Sequence, residues 1–76
     1  MINRPLSTIA REISSDWTKV NFAAAPYLEA MSSMDSPWDD FGYDSGQSVV
    51  LYFLSNATTW RGDVARRIKK ELKAMI

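Results

Sequence analysis

Val49-Val-Leu-Tyr-Phe-Leu54 is the stretch whose reading decides the fold. Its six apolar residues run without a break, and their β-branched and aromatic side chains suit a strand. A strand needs a partner, and no second segment of the chain offers one. The run therefore reads as a helix that is apolar nearly all the way round, which predicts the central, most buried helix of the domain. Asp44 opens it, with Gln47 three residues on, the spacing of a capping box.

Three more helices are expected around it. Upstream, Leu6, Ile9, Ala10, Ile13 and Trp17 recur at helical spacing within an arc of about 100°, so a first helix is read over about Leu6–Trp17. Pro5 suits its opening, where a missing N–H costs nothing. A second helix is read over about Phe22–Met34, with Asn21 as N-cap and Pro26 confined to its first turn. Ala23, Tyr27, Ala30, Met31 and Met34 would share its inner face. Residues 35–43, Asp35-Ser-Pro-Trp-Asp-Asp-Phe-Gly-Tyr43, break every periodicity, and Pro37 and Gly42 mark a loop. The last helix is read over about Thr59–Met75, capped by Thr58 or Thr59, with Gly62 in its first turn. Val64, Ala65, Ile68, Leu72 and Met75 form its apolar stripe, and Arg66, Lys69, Lys70 and Lys73 cluster on the opposite side. Asp63–Arg67 and Arg67–Glu71 have the i,i+4 spacing of ion pairs. The fold class is thus all-α: a compact four-helix single domain over residues 1–76 with a central apolar third helix.

A chain of 76 residues has room for one domain. With no cysteine, neither disulfides nor thiolate-held zinc can supplement its small core. A hydrophobic content of 46%, with three Trp, three Tyr and three Phe, is too apolar for a disordered chain. The longest apolar run is far short of the roughly 20 residues that span a bilayer. The opening Met1-Ile-Asn-Arg-Pro5 lacks a signal peptide's apolar core, so a cytoplasmic protein without a membrane segment is expected. Asn56-Ala-Thr58 and Arg61-Gly-Asp63 then match a glycosylation site and an integrin tripeptide only by chance. Net charge is zero but unevenly spread: residues 1–60 hold three Lys/Arg against seven Asp/Glu, and residues 61–76 hold six against two.

Most enzyme chemistries lack their residues. There is no histidine to act as base or ligand and no cysteine to act as nucleophile. Gly42, Gly46 and Gly62 are too scattered to cradle a phosphate. Asp35, Asp39, Asp40 and Asp44 fail the spacing of a calcium loop, because Pro37 and Trp38 stand where a ligand is needed and no glutamate closes it. A non-enzymatic protein without metal or cofactor is expected.

Two stretches could meet a partner. In the loop, Trp38, Phe41 and Tyr43 stand beside Asp39 and Asp40. They read either as a lid folded over an undersized core or as an acidic, aromatic protein-binding patch, since Trp and Tyr dominate such interfaces. The second is the row Arg66, Lys69, Lys70 and Lys73, which reads either as the solvated face of a terminal helix or as a contact for nucleic-acid phosphates or an acidic partner.

The stretches Leu6-Ser-Thr-Ile-Ala-Arg-Glu-Ile13, Asn21-Phe-Ala-Ala-Ala-Pro-Tyr-Leu-Glu-Ala-Met31, Ser48-Val-Val-Leu-Tyr-Phe-Leu-Ser-Asn-Ala-Thr-Thr-Trp-Arg-Gly62 and Ala65-Arg-Arg-Ile-Lys-Lys-Glu-Leu72 resemble a group of short uncharacterised proteins of bacteria, phages and mobile elements. The resemblance covers nearly the whole chain and carries no catalytic residue with it. It implies an accessory protein of a mobile element that inhibits or redirects a bacterial host protein. The leading expectation is accordingly a protein-binding module using Trp38, Asp39, Asp40, Phe41 and Tyr43. The alternatives are a nucleic-acid-associated regulator using the basic row, and a self-associating structural protein. The sequence leaves the oligomeric state open.

Overall fold

The computed structural model describes residues 4–36, 40–41 and 44–76, and for 40, 41 and 44 the backbone alone. Helix α1 spans Leu6–Asp16, and Leu6, Ile9, Ala10 and Ile13 are buried along it as their spacing requires, with Trp17 buried just beyond its end. Pro5 precedes the helix and accepts from the N–H groups of Thr8 and Ile9. The first amides of α1 have no side-chain cap. They are satisfied across the chain instead: Leu6 N–H donates to Asp35 O at 3.0 Å and Ser7 N–H to Met34 O at 2.8 Å.

Helix α2 is shorter than its spacing predicts, Ala25–Met31 rather than 22–34. Residues 22–24 form a turn held by Asn21, whose side-chain oxygen accepts from Ala23 N–H while its backbone carbonyl accepts from Ala24 and Ala25. Asn21 therefore caps that turn, and Pro26 falls in the first turn of the helix. At the far end the Ser32 and Ser33 hydroxyls donate to Glu29 O and Ala30 O, competing with further helical bonds. The shift also corrects the inner face. Ala23 is exposed and Tyr27 half-buried, while Ala24, Leu28, Ala30, Met31 and Met34 are in the core.

From the end of the stretch read as loop into the expected start of the third helix runs a minimal antiparallel ladder, β1 (Asp40–Phe41) against β2 (Asp44–Ser45), with Asp40 opposite Ser45 and Phe41 opposite Asp44. Helix α3 follows at once over Gly46–Ser55, so Val49–Leu54 is helical. Its cap lies one residue later than the spacing predicts. Asp44 is held in the ladder, and the Ser45 hydroxyl accepts from Ser48 N–H at 3.2 Å. Nor is α3 buried all round: Val49, Val50 and Phe53 face the core, and Leu51 and Tyr52 stand half in solvent.

Helix α4, Asp63–Met75, begins four residues later than expected, because Thr58 and Thr59 form an exposed turn. Its N-cap is Gly62, at φ +114°, a conformation that favours glycine. Ala65, Ile68, Leu72 and Met75 are buried and Val64 is half-buried, as the stripe predicts.

The result is an all-α globule of four helices around one core. The helices pack α2 on α3, α1 on α2, and α4 on α1. In this order α1 and α2 each lie between two other helices, and α3 joins the core through α2. Trp17, Phe53 and Trp60 tie the layers together: the two indoles stack at 5.8 Å between ring centres, and Phe53 meets both edge-on. Among the described residues no polar or charged side chain is fully buried, and no helix is long and apolar enough to cross a membrane.

Candidate functional site

Helix α4 carries six of the nine cations with the segment just before it, and the fold divides them. Arg67 and Glu71 do not pair with each other or with Asp63. Arg67 reaches across to Glu12 on α1. One edge of the Arg4 guanidinium grips Glu71, with Nε and Nη2 donating at 2.9 and 2.6 Å, and the third nitrogen donates to Glu12 at 2.8 Å. These four side chains make one alternating network that fastens α4 to α1 and to the residue before Pro5. The Arg4 hydrogen bonds hold both carboxyls below their ordinary range, with Arg67 adding to the effect on each.

Lys69 leaves the basic row altogether. Its ammonium donates to Ala57 O and Trp60 O, each at 2.7 Å, and stands 5.7 Å above the Trp60 ring. Burial pushes its pKa down, and the nearby charges of Lys73 and Arg61 push the same way. It is a clamp on the α3–α4 connection. Trp60 is fixed on its other side by a 2.8 Å hydrogen bond from its indole N–H to Asp16.

Arg66, Lys70 and Lys73 remain as exposed cations of α4, and Arg61 joins them from the extended segment before the helix. Arg66 has only Asp63 for company, at 3.5 Å and in full solvent. Trp60, Arg61, Gly62, Ala65, Arg66 and Lys69 line an open recess of about 310 Å³ at the start of α4. Arg61 was outside the basic row because on a helix begun at Thr59 it would stand about 140° away from Arg66. Its place at the recess follows from the late start of α4.

The second surface is apolar and lies along the seam between α2 and α3. Phe22 is 94% exposed, and Leu51 and Tyr52 are 49% and 47% exposed. The Tyr27 and Tyr52 rings meet at 5.4 Å across the seam. The Asn21 amide donates to Asn56 O at 3.4 Å, tying the turn that carries Phe22 to the end of α3. The sequence reading did not single out these residues as a surface. A signal was present for Phe22, which stands about 100° from Ala23 on a helical wheel. For Leu51 and Tyr52 there was none, because an all-apolar turn hides which side is outside.

Of the loop residues expected to meet a protein, Trp38, Asp39 and Tyr43 lie outside the described residues, and Asp40 and Phe41 contribute the backbone of β1. Among the described residues no three Asp or Glu side chains converge as a metal site would require. No family model, curated protein or solved structure matches the chain.

Proposed function

We propose that the protein is a small helical protein-binding module whose contact surface is the α2–α3 edge at Phe22, Tyr27, Leu51 and Tyr52. The observation that carries the reading is that three large apolar side chains stay in water, Phe22 almost wholly and Leu51 and Tyr52 by about half. Burying such a ring on a partner is worth about 1.5–3 kcal/mol, and aromatic side chains of this kind supply the centres of protein interfaces. A typical interface takes about 800 Å² from each side, roughly a sixth of the 5025 Å² this molecule exposes. A protein so small would act by covering part of its partner, without catalysis or cofactor. The resemblance to short proteins of phages and mobile elements makes that partner a bacterial host protein, inhibited or redirected in the cytoplasm.

The test is affinity capture from bacterial lysate, followed by titration of the captured protein after purification. The wild type should bind one dominant protein, and Phe22→Ser with Tyr52→Ser should lose it while melting like the wild type. If that pair still binds and Trp38→Ala with Asp39→Ala does not, the interface is the 35–44 loop and the α2–α3 edge is refuted. Absence of any specific partner, together with a sedimentation mass above the 8.6 kDa monomer, would replace the reading by self-association through the same edge.

A further inference from the structure

We infer that the exposed face of α4, with Arg61 at its head, docks the phosphate backbone of a nucleic acid without reading its sequence. Arg67, Arg4 and the carboxylates Glu12 and Glu71 neutralise one another, and Lys69 is spent on two carbonyls. Of the six cations from residue 61 onward, four are left over: Arg61, Arg66, Lys70 and Lys73. The last three stand at i, i+4 and i+7, in steps of about 6 and 4.5 Å along the helix axis. They form a row, as a chain of phosphates would require.

Helix electrostatics accounts for Lys73, which sits in the last turn where a cation is favoured. It does not account for Arg61 and Arg66. These stand at the opposite end, where the helix is itself positive and a cation is disfavoured. Among the described residues Asp63 is the acidic side chain that meets them, and an ion pair in open solvent offsets little. Positive charge is therefore gathered where it does nothing for the folded chain, and the recess between Arg61 and Arg66 is open to an anion.

The surface also says which polyanion. A protein partner would need an apolar centre, and among the described residues the large exposed apolar side chains, Phe22, Leu51 and Tyr52, are all on other elements. Trp60, the aromatic ring of the recess, is only 2% exposed and offers no face for a base to stack on. What remains is charge alone, which suits a backbone and carries no sequence information.

The experiment is fluorescence anisotropy with a labelled duplex of about 20 base pairs, titrated at several salt concentrations. Four phosphate contacts predict a log–log slope near −3.6, so affinity should fall about 150-fold between 50 and 200 mM salt. Two duplexes of unrelated sequence should bind alike. Neutralising two of the four cations with Lys70→Gln and Lys73→Gln should bring the slope to about −1.8, leaving a fall of only about 12-fold. Both lysines are exposed, so an unchanged melt checks that the variant is folded. No binding at 50 mM salt overturns the inference, as does a slope that the double variant leaves unchanged. Displacement by polyglutamate as effective as by unlabelled duplex, at equal charge concentration, also overturns it and puts an acidic protein in the nucleic acid's place.

Discussion

Replacing Lys69 by Met separates two accounts of the same residue. On the helical wheel Lys69 belongs with Lys70, and both would be solvated cations whose removal changes stability by about 0.5 kcal/mol or less. In the folded protein Lys69 donates two hydrogen bonds of 2.7 Å from a charged group and covers the Trp60 ring. Charged hydrogen bonds contribute about 1.5–3 kcal/mol each, and a cation over an aromatic ring about 0.5–1 kcal/mol when exposed. Against this stand the cost of half-burying the ammonium and the repulsion of Lys73 and Arg61, the same influences that lower its pKa. Methionine keeps most of the aliphatic stem, so packing against Trp60 is largely preserved. The balance is a loss of about 2 kcal/mol, since the opposing costs cancel about half of the gain. In a domain of this size that lowers Tm by about 8–16 °C. Lys70→Met should move it by no more than about 4 °C. Circular dichroism melts of the two variants side by side read the difference, and tryptophan emission should redden in Lys69→Met as water reaches the Trp17–Trp60 stack. Equal melting temperatures for the two variants would refute the clamp.

Two further outcomes follow from the same segment and from the charge network. Gly62→Ala should cost about 1–3 kcal/mol in urea denaturation, because φ +114° with an extended ψ is a region essentially reserved for glycine; a Cβ there would touch nothing within 4 Å, so a loss of stability isolates backbone strain from crowding. Stability should fall with acidification, with a sign fixed by the carboxyls: Arg4 holds Glu71 and Glu12 below their ordinary value of 4.5, so the unfolded chain takes up protons first, and the contribution is complete above about pH 5 and lost as pH drops through the folded values. Glu71→Gln should flatten that slope between about pH 3 and 5, and urea midpoints measured across the range that stay parallel to the wild type would count against the network.

Helix number and type were legible because apolar periodicity survives whatever surrounds it. The stripes of α1 and α4 could be read residue by residue, and Leu6, Ile9, Ile13, Ile68 and Leu72 are all fully buried. Boundaries were less legible where tertiary contacts set them. The start of α3 moved by one residue because Asp44 and Ser45 are both held in the ladder and it is the Ser45 hydroxyl, at its end, that takes the Ser48 amide. The start of α4 moved by four because Trp60 enters the core and Lys69 ties down the carbonyls of the connection. Local spacing offered Arg67 two partners on its own helix, and it took Glu12 from another. The cost of ordering long side chains leaves pairs along a helix worth only a few tenths of a kcal/mol, so a better-placed carboxylate across the interface displaces them. That competition cannot be read from the spacing of one helix.

The same competition decides what the molecule has left for a partner. Among the described residues no polar or charged side chain is fully buried, and none has a buried polar atom without a partner. An interior of this kind holds no reactive group in reserve, so anything the protein does to another molecule it does with surface that folding did not consume. Two portions of that surface are costly to maintain. One leaves Phe22 and half of Tyr52 in water, and the other places Arg61 and Arg66 at the positive end of α4. The first lies on α3 and the turn before α2, the second on α4 and the segment before it, and in the packing order α1 stands between α2 and α4. Substitutions in one should therefore leave the other undisturbed. Sequence composition had already hinted at the charged portion through the excess of Lys and Arg after residue 60. The apolar portion had no such signature, because an exposed Phe and a buried Phe are the same letter until the core is known.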